Sequence, residues 1–359
     1  SAASDVYKRQ YMFSATLRAD GSGNFARGNR WGVFPSFSAG WVITNESFME
    51  SVQNWMDFLK IRASWGQNGN SDITNFQYLS TIAFDAQNSY VFGTDKVTQT
   101  TGAYANILPN KDVSWETSEQ LDLGIDARFF NSRLGLAFDY YHKVTKDWLV
   151  QAPILASYGT GAPYINGGDI VNKGFEIALN WNERIRDFNY GINFNLSHNK
   201  NEVTRIANTE GIIHGPSDVL TAMSGGEIYR AEVGYPIGYF WGYKTAGVFQ
   251  NQAQVDATKA KLSTAAPGEL IFVDVNGNGE ISEADKTMLG DPNPDFRMGF
   301  SFNLGYKGWD LSVTTNGAFG QQVVKSYRQY LGETKQNFTT DVYDCLLYTS
   351  PSPRDRSLS

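Results

Sequence analysis

Between Leu121 and Tyr141 apolar and polar side chains alternate through two runs separated by one turn. Leu121, Leu123, Ile125, Ala127 and Phe129 hold one set of alternate positions; Asp122, Gly124, Asp126 and Arg128 hold the other. After Asn131-Ser132 the pattern resumes with Leu134, Leu136, Phe138 and Tyr140. A period of two places each set on one face of a β-strand. A turn at Asn131-Ser132 that pairs Phe130 with Arg133 sets Phe129 opposite Leu134, Ala127 opposite Leu136 and Ile125 opposite Phe138. A slip of one residue would move every apolar side chain to the wrong face, so the hairpin specifies its own register.

The same reading applies elsewhere. A turn at Lys307-Gly308 pairs Leu304 with Leu311 and Phe302 with Val313. A four-residue loop from Arg184 to Asp187 pairs Leu179 with Ile192, Ile177 with Phe194 and Phe175 with Leu196. Glu176, Asn180, Asn182, Asn193, Asn195 and Ser197 take the alternate face. Earlier strands read Phe13, Ala15, Leu17; then Val33, Phe37, Ala39, Trp41, Ile43; then Leu59, Ile61, Ala63, Trp65.

These strands run about 10 to 13 residues, against about 5 to 6 in ordinary globular sheets. Ten residues tilted near 45° rise roughly 23 Å, close to the apolar band of an outer-membrane barrel. Connections alternate in length: short near 44–54, 131–132, 184–187 and 307–308, long near 20–31, 67–117, 146–169 and 201–294. Outer-membrane barrels show that asymmetry, with short turns on the periplasmic side and long loops outside. Trp55, Phe129, Trp181, Phe188, Tyr190, Tyr306 and Trp309 gather at the short turns and read as an interfacial aromatic girdle. The expected fold is therefore all-β: an antiparallel up-and-down transmembrane β-barrel. About nine strands leave it incomplete, because bacterial barrels close with even numbers. A soluble β-sandwich is the competing architecture. It would pack Leu121, Ile125, Leu136, Phe138, Ile177 and Phe194 under a second sheet; a barrel turns them to lipid.

Composition agrees with a barrel. Mean hydropathy is −0.37 although aromatics reach 14%; a barrel alternates lipid-facing and lumen-facing residues, so its average stays low. The sequence has no apolar run long enough for a membrane helix. Net charge is −7, and no basic patch interleaved with aromatics points to nucleic acid. The single cysteine, Cys345, forms no internal disulfide or thiolate cluster.

Both ends read as foreign. Asp5-Val-Tyr-Lys-Arg-Gln10 and Cys345-Leu-Leu-Tyr-Thr-Ser-Pro-Ser-Pro-Arg-Asp355 resemble translated adapter sequence; the alternative is a disordered lead-in and a Ser/Pro-rich tail. On either reading 1–10 and 344–359 are expected to be non-native or irregular, leaving 11–343 as the barrel portion. No apolar signal segment occurs in Ser1 to Gln10.

Several stretches resemble the SusC/RagA family of TonB-linked outer-membrane proteins. They include Leu17-Arg-Ala-Asp-Gly-Ser-Gly-Asn-Phe25, Asn29-Arg-Trp-Gly-Val-Phe-Pro-Ser-Phe-Ser-Ala-Gly-Trp41 and Leu59-Lys-Ile-Arg-Ala-Ser-Trp-Gly-Gln-Asn-Gly-Asn70. Others are Trp115-Glu-Thr-Ser-Glu-Gln-Leu-Asp-Leu-Gly-Ile125, Asp139-Tyr-Tyr141, Asn172-Lys-Gly-Phe-Glu-Ile177, Gly234-Tyr-Pro-Ile-Gly-Tyr-Phe-Trp-Gly-Tyr243 and Gly290-Asp-Pro-Asn-Pro-Asp-Phe296. They occur in family order over nearly all of 11–343. The resemblance implies part of a barrel of roughly 22 strands in a Gram-negative outer membrane. It further implies nutrient import of an oligosaccharide or peptide, a SusD-like surface lipoprotein partner, and a TonB complex reached through an N-terminal plug region that this sequence lacks. The chain alone would not be transport-competent.

One local motif carries chemistry. Asp274-Val-Asn-Gly-Asn-Gly-Glu-Ile-Ser-Glu-Ala-Asp285 matches a calcium loop, with side-chain oxygens from Asp274, Asn276, Asn278, Ser282 and Asp285 and the backbone carbonyl of Glu280. Gly279 stands at the sharp turn. Asn at two ligand positions and the shorter Asp at the last one depart from the motif; the plain alternative is an Asx- and Gly-rich turn. Enzyme chemistry is not expected. His142, His198 and His214 form no catalytic motif, and Asp122 and Asp126 are same-face strand neighbours. Gly159-Thr-Gly-Ala-Pro-Tyr-Ile-Asn-Gly-Gly168 lacks the strand–helix context of a dinucleotide loop and reads as a loop re-entering a strand. Tyr158, Tyr164, Tyr239, Phe240 and Trp241 suit either sugar contact or loop packing.

Overall fold

The computed structural model describes residues 2–7, 10–91, 99–152, 154, 156–216 and 226–324. Cys345 and the rest of 344–359 lie outside them. The dominant element is a ten-stranded antiparallel sheet: β1 (Ala2–Tyr7), β2 (Tyr11–Gly21), β3 (Trp31–Val42), β4 (Met56–Asn70), β5 (Glu116–Phe129), β6 (Leu134–Lys146), β7 (Gly168–Ile185), β8 (Phe188–Ile206), β9 (Phe296–Tyr306) and β10 (Trp309–Phe319). Spatial order follows chain order, so the sheet is an up-and-down meander with β1 and β10 as its edges. The strand beyond the nine expected is β1, whose Ala2 to Tyr7 backbone pairs with Thr16 to Tyr11.

Two of the three hairpin registers are as the alternation dictates. Ile125 pairs with Phe138, Ala127 with Leu136 and Phe129 with Leu134; Phe302 pairs with Val313 and Leu304 with Leu311. The β7–β8 hairpin differs. Its turn is the two residues Arg186-Asp187, and Ile177 pairs with Leu196, Leu179 with Phe194 and Trp181 with Ile192. The register is shifted by two from the expected one. Such a shift keeps every side chain on its face, so hydrophobic patterning does not oppose it. Ile43 is also corrected: it leaves β3 for a 3-10 turn (Ile43–Asn45) and is buried.

Connections at one end are Ile43 to Trp55, Phe130 to Arg133, Arg186-Asp187 and Lys307-Gly308. Those at the other are Ser22 to Arg30, Ser71 to Trp115, Asp147 to Gly167 and Ala207 to Asp295. The aromatic side chains at the short end form stacked pairs: Trp55 with Phe129 at 5.8 Å, Phe188 with Tyr306 at 4.2 Å and Tyr11 with Trp41 at 6.3 Å between ring centroids.

Leu121, Leu123 and Ile125 are exposed, as are Phe13, Phe37, Phe300 and Leu311; Leu136, Phe138, Ile177 and Phe194 are half-buried. That excludes the sandwich, whose strands would be sealed on this face. Among the described residues no helix is long and apolar enough to cross a membrane, which leaves crossing by strands open.

The buried core lies instead among the long loops. Phe25, Ile73, Val113 and Leu149 cluster there, with Trp115 and Tyr164 packed against them. They come from three connections: Phe25 follows β2, Ile73 and Val113 lie between β4 and β5, and Leu149 follows β6. Among the described residues, a second compact unit comprises 214–216, 226–231, 236–293 and 321–324. Its described part centres on the fully buried Tyr239, with Ala231, Phe249 and Val255 also buried.

Candidate functional site

The polar set of each strand forms one continuous face. At its middle, Arg62 on β4 donates from Nε to Asp126 Oδ2 at 2.9 Å and from Nη2 to Asp139 Oδ2 at 2.8 Å. Asp126 lies on β5 and Asp139 on β6, so one guanidinium spans three strands. One turn of the alternation further, Asp122 accepts from Gln120 at 2.7 Å and from Ser64 at 3.3 Å. Gly124 makes the bridge possible: a Cβ there would overlap Asp139 Oδ1 and the Arg62 guanidinium. Asn180 lies over Gly135 in the same way. Close approach to a neighbouring strand is a recurrent reason for glycine within a sheet. Only half of the Arg62 network was legible in the sequence, which shows Asp122 and Asp126 as same-face neighbours. Arg62 and Asp139 share their parity, and that signal would have completed it.

The loops above this face are tied by asparagines. Asn24 donates to the Ser71 carbonyl at 3.0 Å and Asn110 to the Tyr164 carbonyl at 2.8 Å. Asn166 accepts from the Ser114 amide at 2.9 Å and donates back to the Ser114 carbonyl at 3.0 Å. The Gly159–Gly168 run re-enters the sheet as expected: Tyr164–Asn166 pairs with Leu149–Gln151, and Gly168 opens β7. Tyr164 packs against the loop core, whereas Tyr158 is exposed. In the second unit Tyr239 is fully buried, and the Arg230 guanidinium sits 3.4 Å above the Trp241 ring. These positions assign Tyr164, Tyr239 and Trp241 to packing.

The six residues expected as calcium ligands lie in one hydrogen-bonded loop. Asp274 accepts the amides of Gly277 (2.6 Å), Asn278 (3.2 Å) and Gly279 (2.8 Å). Asn276 accepts from the Asn278 amide at 2.9 Å and Asn278 from the Glu280 amide at 2.8 Å, two successive Asx turns. Gly277 and Gly279 take positive φ, 73° and 87°. Asp285 closes the loop by accepting the amides of Val275 (3.0 Å) and Ser282 (2.8 Å). Its pKa lies below the ordinary carboxylate value, because the Ser282 amide outweighs the opposing effect of burial, with help from Asn276 and Val275. Among the described residues no group of three or more His, Cys, Asp or Glu is placed to hold a metal. The loop brings two carboxylates, Asp274 and Asp285, and draws the rest of its oxygen set from amides, a hydroxyl and a carbonyl. That set suits a hard cation.

The histidines are dispersed. His142 lies on β6, His198 Nδ1 is 2.7 Å from the Asp295 carbonyl, and His214 Nδ1 is 2.9 Å from Glu227.

Comparison with known proteins places the sheet. The family described as TonB dependent receptor-like, beta-barrel matches residues 5–343. TonB-dependent receptor P3 of Formosa agariphila is 34% identical over 339 residues, covering 94% of this chain and 33% of the relative. TonB-dependent receptor SusC of Bacteroides thetaiotaomicron is 29% identical over 350 residues, covering 96% and 33%. The chain thus spans about a third of the length of these relatives. The solved structure of the RagAB peptide transporter aligns with a TM-score of 0.72 at 24% identity, over 88% of this chain and 32% of that one. At that identity the likeness concerns the fold.

Proposed function

This chain belongs to the TonB-dependent receptor-like β-barrel family, and from that premise we propose that it forms part of the wall of a nutrient importer in a Gram-negative outer membrane. The observation that carries the proposal is the two-faced sheet. One face is apolar and uncovered; the other bears Arg62, Asp122, Asp126, Asp139 and a series of asparagines. Lipid satisfies the first and a hydrated conduit the second.

The cargo is an oligosaccharide or a peptide, delivered with a SusD-like surface lipoprotein and driven by the TonB complex. Relatives named SusC and RagAB support this reading, and a lumen rich in Asn, Asp and Ser suits hydrogen-bonding cargo of either class. Deleting the receptor gene should abolish growth on one such oligosaccharide or peptide, and complementation should restore it only when TonB is present. Undiminished uptake of both classes would overturn the proposal.

Calcium in the Asp274–Asp285 loop belongs to the same reading: a cation there would brace an outer loop against its own carboxylates. Titration calorimetry of the receptor should give calcium heat that Asp274→Ala removes.

A further inference from the structure

One row of the outward face breaks its apolar pattern. His142, Lys173 and Lys200 are direct cross-strand neighbours on β6, β7 and β8. Their parity is that of the apolar set. His142 continues Leu136, Phe138 and Tyr140; Lys173 continues Ile177 and Phe175; Lys200 continues Phe194 and Leu196. Both lysines are exposed, and among the described residues neither joins an ion pair. Like charges directly opposite each other in a sheet destabilise it, so the row gains from an anion placed between them.

The nearest outward carboxylates stand one row nearer the long loops. Glu202 lies opposite Val171 and Glu119 opposite Val144. Glu119 is already held by Lys146 at 2.8 Å and by Trp65 Nε1 at 3.0 Å. On the other side of the cationic row lies an apolar lane. Phe175 sits between Tyr140 and His198, with 5.5 Å to the imidazole, and Phe296 follows at 4.8 Å. Phe138, Ile177 and Leu196 extend the lane toward the short turns.

Height fixes what this pairing of charge and lane can meet. Eight residues separate Lys173 from the girdle residue Trp181. At ~3.3 Å each and a tilt near 40°, they rise roughly 20 Å, which puts the row near the far edge of an apolar band ~25 Å tall. Lysine side chains there extend outward to the headgroup level.

We propose that Lys173 and Lys200, flanked by His142, bind the phosphate of a lipid in the outer leaflet, a phosphorylated glycolipid whose acyl chains lie along Phe175, Ile177, Phe138 and Leu196. The site rests on the outer-membrane reading above. A free phosphate would use the cations and leave the apolar lane unused, so the lane selects a lipid.

The test uses the full-length receptor extracted from outer membranes in mild detergent. Wild type should retain phosphorylated glycolipid, measured by mass spectrometry, and Lys173→Gln/Lys200→Gln should bind it roughly 30-fold more weakly. Lys173→Arg/Lys200→Arg should retain it, as should Lys307→Gln at the short-turn end. Bis-phosphorylated glycolipid should raise the Tm of wild type and not of the double Gln variant; its dephosphorylated form and inorganic phosphate should do neither. Heat-modifiable migration on gels shows that each variant is folded. Equal retention by the double Gln variant, or an equal Tm rise with inorganic phosphate, overturns the lipid site. A wild-type receptor absent from the outer-membrane fraction overturns the importer reading and the site with it.

Discussion

The Arg62 guanidinium holds Asp126 at 2.9 Å and Asp139 at 2.8 Å, so one cation neutralises carboxylates from two neighbouring strands. All three side chains are partly exposed, which screens the pair energies. Removing the cation still leaves two partly desolvated carboxylates without a counter-charge. Arg62→Met should therefore lower receptor stability by about 1–3 kcal/mol in urea unfolding. Arg62→Lys should recover only part, because an ammonium cannot fork to both acids. Gly124→Ala should act like a weaker Arg62→Met, since its methyl would displace the guanidinium. Unchanged unfolding midpoints for Arg62→Met would show that the bridge contributes nothing.

The hairpin turns hold strain that sequence changes can relieve. Lys307 has φ 45° beside Gly308 at 87°, the pattern of a type I′ turn, in which asparagine is favoured at the first position. Its ion pair with Asp187 is 3.7 Å long and exposed on both sides, so it is worth little. Lys307→Asn should then stabilise the β9–β10 hairpin by about 0.5–1 kcal/mol. Gly308→Val should destabilise it by more. The unfolding midpoint of each variant checks both signs.

What the sequence showed and what it hid follow from the same physics. Period-two alternation fixes which face a residue occupies, and the Ile125–Phe138 and Phe302–Val313 pairs came directly from it. Alternation is blind to slips of two, and only turn geometry separates Leu179–Phe194 from Leu179–Ile192. Arg186, at φ 55°, gives no glycine or asparagine signal for that turn. The loop core was invisible for a different reason. Phe25, Ile73, Val113 and Leu149 are far apart in sequence and have no shared period, so only the closed loops bring them together. In the oxygen-rich loop the residue types were plain, whereas the double role of Asp285 as buried carboxylate and loop closure needed coordinates.

The two faces differ enough to be told apart by labelling. Leu136 and Ala137 are adjacent on β6 and belong to opposite faces. In a receptor background freed of other reactive cysteines, Ala137→Cys should react with a water-soluble maleimide in intact outer membranes, and Leu136→Cys should not. Leu136→Arg should cost up to about 2–4 kcal/mol, depending on its depth in the bilayer, and Ala137→Arg far less. Equal labelling of the two cysteines would contradict a lipid-facing apolar side.

Asp285 links its loop to pH. Its side chain is fully buried, and the amides of Ser282, Asn276 and Val275 hold its pKa below the ordinary carboxylate value. A depressed native pKa contributes stability that is complete above the unfolded value and lost as pH falls through the native one. Amide exchange at Val275 and Ser282, corrected for intrinsic rates, should be slow at neutral pH and accelerate below about pH 4. Asp285→Asn should show the fast exchange already at neutral pH. Asp274→Ala separates loop closure from cation binding, because it frees the amides of Gly277 and Gly279 and leaves Asp285 in place. If the loop binds calcium, added calcium slows exchange further in the wild type and has no effect on Asp274→Ala. A wild-type loop indifferent to calcium would mean that Asp285 closes it unaided, and the calcium proposal would fall.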